Sequence, residues 1–137
     1  MYNQSITLFN YDAEEDDYLK TFIKGVEFQP NYQTIPKVDK TDSDTSALII
    51  IEYFRDDIGK YIYSEGNKIY YASPKTCSLK SQKFTIQNNT DFIIIGNYMD
   101  IVEVNLNEIK NSIDNVFIIN QFKDFMDELR HFEIYVN

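Results

Sequence analysis

The sequence predicts a mainly β fold, a small antiparallel β-barrel or sandwich with one short helix and one long loop. Short runs of alternating apolar and polar residues recur along the chain, as half-buried strands require. Turn-forming clusters separate these runs, and a helix start signal stands out at one segment. The chain has 137 residues, a length suited to one core, so we expect residues 1–137 to form a single domain.

The first two strands are predicted at residues 5–11 and 18–28, joined by an acidic turn at 13–17. Ile6 and Leu8 fall on one face of the first strand. Adjacent carboxylates in a tight turn point in different directions into water and do not form the paired arrangement that acid–base catalysis needs. We therefore interpret the turn as a solvated rim and not as a catalytic carboxylate pair.

A long projecting loop is predicted at about 29–46. Its prolines and its Ser/Thr/Asp-rich end resist regular structure, and so long a loop in a compact domain usually has a function. Asp39, Asp42 and Asp44 are spaced loosely like a calcium loop, but the central Gly and the bidentate Glu are missing. A solvated acidic loop is the better interpretation.

The remaining segments are predicted as strands, apart from one helix at 105–112 and the turns at 55–59 and 64–67, which flank a short segment at 60–63. Asn105 can cap this helix, and Glu108 completes a capping-box-like pair. The predicted strands are 47–54, 68–72, 83–87, 92–96, 115–122 and 130–136.

The segment between the last two strands allows two structures. Phe122, Phe125, Met126 and Leu129 recur at helical spacing, which allows a short helix. The alternative is a hairpin whose tip is 123–128. We prefer the hairpin because it needs no extra layer to pack against.

Composition limits the function. The net charge is -9, from 22 acidic and 13 basic residues, so tight binding to nucleic acid through phosphate neutralisation is not expected. The same charge does not exclude a position beside DNA, since a wall that DNA slides past should repel phosphate. The apolar runs are shorter than the roughly 20 residues that a membrane span needs.

No constellation of residues predicts catalysis. Cys77 is the one cysteine and His131 the one histidine, so a disulfide within the chain, a two-histidine metal site and a nucleophile–histidine pair are all unsupported. The four glycines are scattered and form no phosphate-binding loop. We expect neither an enzyme nor a bound metal or cofactor, and we interpret His131 as a structural or interface residue.

Tyrosine is more abundant than one small core can bury with every hydroxyl satisfied. Tyrosine is enriched at protein interfaces, so assembly with other proteins is the leading hypothesis. The alternative is that alternating strand positions simply half-expose these rings. The residues concerned are Tyr61, Tyr63, Tyr70, Tyr71, Tyr98 and Tyr135.

The order of these segments resembles a family of small uncharacterised proteins of Firmicutes-type tailed phages. These are encoded among head and head–tail joining genes and often labelled minor capsid proteins. The resemblance covers nearly the whole chain and rests on structural motifs, without any catalytic residue. It is carried by 5–11, 21–26, 47–51, 84–87, 91–96, 114–119 and 131–134.

This resemblance implies a structural virion protein of the phage neck, most like a head-closure (stopper) protein. Such proteins have a β-barrel core with a long loop and form a homo-oligomeric ring between the portal/adaptor assembly and the tail. The chain would assemble in the bacterial cytoplasm, in contact with portal/adaptor and tail proteins, with genomic DNA passing nearby and bound without sequence specificity. The long loop would then contact a neighbour or the central channel, through Tyr32, Ile35, Val38, Asp39, Asp42 and Asp44.

Two alternatives stay open at the level of sequence. A tail terminator or another neck ring protein would share the same features. A small acidic protein that mimics DNA and inhibits a host nuclease belongs to another class. Such an inhibitor would carry carboxylates spaced like phosphates on one face.

Overall fold

The computed structural model describes residues 3–30, 46–77, 83–126 and 129–137. Within these residues the chain is mainly β with a single short helix, as the sequence predicts. The elements are β1 (Gln4–Asp12), β2 (Asp17–Pro30), β3 (Ala47–Glu52), β4 (Phe54–Arg55), β5 (Lys60–Ser64), β6 (Asn67–Tyr70), β7 (Phe92–Ile95), α1 (Leu106–Ser112), β8 (Val116–Phe125) and β9 (His131–Val136).

Six of the described strands form a closed antiparallel barrel, in the order β1-β2-β3-β9-β8-β7. The barrel closes because β7 pairs with β1, which places Phe92 opposite Phe9 and Ile95 opposite Ile6. Closure gives each of these strands a neighbour on both sides, which removes the exposed edges of an open sheet. The fold is thus the barrel and not the sandwich of the two predicted architectures.

Strand β1 is buried on both of its faces. Ile6 and Leu8 point into the barrel and belong to its interior core. Phe9 points outward, and its ring stacks on that of Phe92 with a centroid distance of 4.4 Å. Helix α1 covers this outer face through Ile109. The predicted helix is confirmed, with Asn105 as its N-cap, and it covers the outer side of the closing strands.

Strand β2 changes partner at a bulge. Ser5 pairs with Lys24 and Gln4 with Val26, so Gly25 is an extra residue. Its φ of 71° lies in the left-handed region that favours glycine. Past this bulge β2 leaves β1 and pairs with β3 as far as Pro30, which lies opposite Ala47. The predicted loop therefore begins too early, because residues 29 and 30 belong to β2.

The other three described strands, β4, β5 and β6, form a small antiparallel sheet beside the barrel. Ile62 of β5 belongs to the barrel's interior core, and Ile69 of β6 packs against it. The single strand predicted at 47–54 is broken at Tyr53. Its ring packs on that of Phe132 at 4.6 Å, and its N–H bonds the carbonyl of Arg130.

A buried carboxylate ties the segment before β7 to β1. Asp91 is fully buried, and its carboxylate accepts hydrogen bonds from the N–H of Tyr11 at 2.9 Å and from Nδ2 of Asn10 at 2.8 Å. The N–H of Gln87 and the hydroxyl of Thr90 also donate to it, at 2.9 and 3.4 Å. The carboxylate thus replaces water as acceptor for these groups.

The strand predicted at 83–87 does not form a ladder, and Asn10 supplies the reason. Its Nδ2 donates to the carbonyl of Thr85 at 2.7 Å, and its Oδ1 accepts from the N–H of Thr85 at 3.1 Å. One side chain therefore satisfies the backbone groups that a neighbouring strand would bond. The segment keeps an isolated bridge between Phe84 and Tyr71.

The ambiguity at 123–129 is resolved for the residues that the structure describes. Strand β8 continues to Phe125 and pairs with β9, with Phe125 opposite His131 and Lys123 opposite Glu133. The hairpin prediction is therefore confirmed, and β8 runs three residues further than predicted.

The Asp91 cluster predicts a pH-dependent stability. Burial raises the pKa of Asp91 from 3.8 to about 6, although the hydrogen bonds from Tyr11, Asn10, Gln87 and Thr90 act to lower it. The pKa of Asp91 is higher in the folded state than in the unfolded state. Ionisation of Asp91 therefore lowers the free energy of unfolding as the pH rises from about 4 to about 6. The loss amounts to about 3 kcal/mol of unfolding free energy.

The measurement is urea unfolding of the wild type and of Asp91→Asn across pH 3 to 8. The wild type should lose stability relative to the variant between about pH 4 and pH 6, and the difference should be constant above pH 7. The exposed Asp57→Asn is the matched control and should show no such change. A difference between wild type and Asp91→Asn that does not depend on pH would contradict this assignment.

Candidate interaction surface

The outward side of the small sheet is aromatic. Because Ile62 points into the core, its neighbours Tyr61 and Tyr63 point outward. Phe54 and Tyr70 lie opposite Tyr61 on the two flanking strands. We call this set, Phe54, Tyr61, Tyr63 and Tyr70, the aromatic face.

The rings of the aromatic face contact one another around Tyr61. Its centroid lies 5.7 Å from that of Phe54, 5.5 Å from that of Tyr63 and 5.5 Å from that of Tyr70. Tyr61 is 9% exposed, whereas Phe54 and Tyr63 are 51% and 49% exposed. These are distances at which aromatic pairs are favourable. The face thus presents two half-exposed rings around a covered centre.

Asp56 organises the loop beside the aromatic face. Its Oδ1 accepts from the N–H groups of Ile58 and Gly59, at 2.9 and 3.2 Å, which closes the turn between β4 and β5. Its Oδ2 accepts from the hydroxyl of Tyr70 at 2.7 Å and from Nζ of Lys68 at 3.1 Å. The same Nζ lies 4.5 Å from the centroid of Tyr61, a cation–π distance.

These contacts change the acidity of Asp56. The hydrogen bond from Tyr70 is the largest cause that lowers its pKa, to about 2. Burial opposes this shift, and the N–H groups of Gly59 and Ile58 and the Lys68 ammonium add to it. The charged form therefore stabilises the folded state above about pH 4, and this contribution is lost as the pH falls toward 2.

The tip of the β8–β9 hairpin is held against the small sheet. Asp124 accepts a hydrogen bond from the hydroxyl of Tyr53 at 2.6 Å and forms an ion pair with Lys60. Burial and this bond to Asp124 raise the pKa of Tyr53, so its hydroxyl keeps its proton and remains a donor. The N–H of Tyr53 bonds the carbonyl of Arg130. Three contacts between residues distant in sequence thus hold the end of the hairpin.

His131 forms part of this tip. Its ring stacks on that of Phe125, with centroids 4.8 Å apart and an interplanar angle of 8°. Burial lowers the pKa of His131, but hydrogen bonds with the Leu129 carbonyl and the Glu133 carboxylate outweigh burial and raise it above 6.5. The geometry is that of a side chain held by its neighbours.

Exposed large apolar side chains are concentrated at this end of the molecule. Among the described residues, they are all in the small sheet, in its β4–β5 loop or at the hairpin tip, with Val102 as the exception. They are Phe54, Ile58 and Tyr63, together with Phe125, Met126 and Leu129. A concentration of exposed apolar side chains in one region is typical of interaction sites.

The tyrosines singled out in the sequence divide between surface and core. Tyr61, Tyr63 and Tyr70 form the aromatic face, whereas Tyr71 packs against the interior core and Tyr98 against the layer under α1. Tyr135 lies with Leu48 and Ile50 in a separate buried cluster. Sequence reasoning missed Phe54 and Asp56. The signal for Phe54 was the alternation of β5, where Tyr61 lies opposite it. The loop residues Tyr32, Ile35, Val38, Asp39, Asp42 and Asp44 lie outside the described residues.

The acidic turn is exposed at residues 13–17, as expected of a solvated rim. Asp12 is buried beside it and accepts hydrogen bonds from the N–H groups of Glu14 and Glu15 at 3.0 and 3.4 Å. In the described part of the chain, no group of three or more His, Cys, Asp or Glu side chains is arranged to hold a metal ion. No helix found there is long and apolar enough to cross a membrane.

The whole chain matches the model of one protein family. Residues 1–137 match the model of DUF6751, which is described as a family of unknown function. The chain belongs to this family. No curated protein and no solved structure matches it. The family description names no activity, so the aromatic face has to be interpreted from its own geometry.

The hydrogen bond between Tyr70 and Asp56 gives a direct test of this geometry. In Tyr70→Phe we expect the pKa of Asp56 to rise from about 2 toward 3.8, because the largest cause of its lowering is gone. A pH titration of the Asp56 side-chain carboxyl by ¹³C NMR measures it. Tyr98→Phe, which alters a ring outside the face, is the control. An Asp56 pKa unchanged in Tyr70→Phe would contradict the described contact.

Proposed function

We propose that this chain is a structural subunit of a tailed-phage neck, a head-closure (stopper-like) ring subunit between the portal/adaptor assembly and the tail. The observation that carries the proposal is the aromatic face, an exposed apolar surface on a closed barrel. The resemblance of the chain to small proteins encoded among head–tail joining genes supports the same setting. The proposed partners are further copies of the chain and the portal/adaptor and tail proteins.

The aromatic face has the composition of an assembly surface. Aromatic residues are enriched at the cores of protein interfaces, and Tyr is among the residues that most often dominate binding energy. Phe54 and Tyr63 are half-exposed although their backbone lies in regular strands. Rings held on a sheet lose little conformational entropy when a partner covers them.

The charge of the chain fits a position beside DNA without gripping it. The net charge is -9, and the turn at 13–17 presents exposed carboxylates in Glu14, Glu15, Asp16 and Asp17. Such a surface repels phosphate. Genomic DNA could pass the ring without being held by it.

Mass spectrometry of purified virions tests the proposal. We expect the chain in a fixed stoichiometric amount per virion, as for a ring component. Its absence from intact virions would overturn the proposal. Recovery of the chain in complex with a host nuclease, and not in virions, would favour the inhibitor alternative.

Substitutions on the aromatic face should separate assembly from folding. In the double variant Phe54→Ser, Tyr63→Ser we expect incorporation into virions to fall about tenfold or more, because two exposed rings are lost from the proposed contact. Val102→Ser is the matched control, since Val102 is 85% exposed and lies away from the face. Circular dichroism should show both variants folded. Normal incorporation of the folded double variant would exclude the face as the assembly surface.

A further inference from the structure

A groove lies next to the aromatic face, between β2 and the small sheet. Its volume is about 330 Å³. Phe54 and Tyr63 line it, with their rings in edge contact at a centroid distance of 5.5 Å and an interplanar angle of 62°. Ile23 and Ile62 also border it, but their side chains are buried in the barrel core, each 2% exposed. The groove thus offers the exposed parts of two aromatic rings to a side chain from outside.

The charged residues of the groove favour a cation. Glu52 and Glu65 are exposed and line the groove, together with one base, Lys24. Two carboxylates against one ammonium give the groove a negative balance, on a chain whose net charge is -9. A positively charged partner therefore gains from the nearby carboxylates and from the field of the whole molecule.

The neighbouring contact of Lys68 shows the same chemistry within the chain. Its ammonium lies 4.5 Å from the centroid of Tyr61 and 3.1 Å from a carboxylate oxygen of Asp56. This end of the protein therefore already combines a cation with an aromatic ring and a carboxylate. Lys68 contacts Tyr61 and Asp56 and not the groove itself, whose rings are Phe54 and Tyr63 and whose carboxylates are Glu52 and Glu65.

Among natural cations, arginine fits this combination best. Its planar guanidinium stacks on aromatic rings and donates two parallel hydrogen bonds to a carboxylate. Its aliphatic stem can lie along the half-exposed rings of Phe54 and Tyr63. A lysine ammonium is a compact and more strongly hydrated charge, so it gains less from the ring surfaces.

We propose that this groove receives an arginine side chain from a basic segment of a partner protein. The inference rests on the proposed function of the aromatic face as an assembly surface, and it gives the chemistry of the partner. The guanidinium stacks on the exposed ring of Phe54 or Tyr63 and pairs with Glu65 or Glu52.

The test is a titration of the purified chain with the peptide acetyl-Gly-Arg-Gly-amide, followed through the ring ¹³C–¹H signals of Phe54 and Tyr63 by NMR. We expect saturable shifts with a dissociation constant on the order of 1–10 mM, as for a single side chain. The matched peptide with citrulline, which keeps the shape and loses the charge, should give no saturable shift. The lysine peptide should bind more weakly than the arginine peptide.

Variants identify the groups that bind. Glu65→Gln and Glu52→Gln should each weaken binding of the arginine peptide about two- to fivefold, as expected for exposed ion pairs. Tyr63→Leu, which keeps an apolar side chain and removes the ring, should also weaken it. Glu103→Gln, an exposed acid outside the groove, should leave binding unchanged.

Three outcomes would overturn the inference. The first is the absence of any shift at peptide concentrations well above the expected range, and the second is equal shifts with the arginine and citrulline peptides. The third is a shift that depends on protein concentration in the absence of peptide, which would mean that a second copy of the chain covers the groove. Virion mass spectrometry separates this failure from that of the proposed function. A chain present in virions that binds no arginine rejects the groove alone. Arginine binding by a chain absent from virions rejects the neck role alone.

Discussion

The buried carboxylate of Asp91 is the contact on which closure of the barrel depends. It bonds the side chain of Asn10 and the backbone of Tyr11 on β1, and the backbone of Gln87 on the approaching segment. Strand β7 begins at the next residue and pairs with β1 at once. Burying a carboxylate costs free energy, and the hydrogen bonds that it accepts offset part of that cost. These hydrogen bonds fix the start of β7 beside β1 and so favour the register in which the two strands pair.

Closure decides where apolar surface remains. The barrel interior takes up one set of alternating residues, and α1 covers the outer side of β1 and β7. The small sheet places Ile62 in the same core, and this leaves Tyr61 and Tyr63 facing outward. Asp56 and Asp124 then fix the loop and the hairpin tip beside these rings. The backbone that carries the aromatic face is therefore held in place by contacts within the chain, which would reduce the entropy lost when a partner binds.

Local patterns in the sequence predict much of this fold. The first hairpin, the helix capped by Asn105 and the last hairpin follow from alternation, capping and turn chemistry. The segment at 83–87 alternates as a strand does and was therefore predicted as one. In the structure, the side chain of Asn10, distant in sequence, forms the hydrogen bonds to the N–H and carbonyl of Thr85 that a neighbouring strand would form. Tyr63 was predicted as an interface residue from composition alone. The groove brings together residues of β2 and of the small sheet that are distant in sequence, which no local pattern contains.

The central claim is that the aromatic face contacts another protein in the virion. Replacing Tyr63 with the photocrosslinking residue p-benzoylphenylalanine, irradiating intact virions and identifying the adducts by mass spectrometry tests it most directly. The account predicts a crosslink from position 63 to a neck protein or to a second copy of the chain, and none from the exposed position 102. Virions that contain the chain but give no crosslink from position 63, or equal crosslinking from both positions, would contradict it.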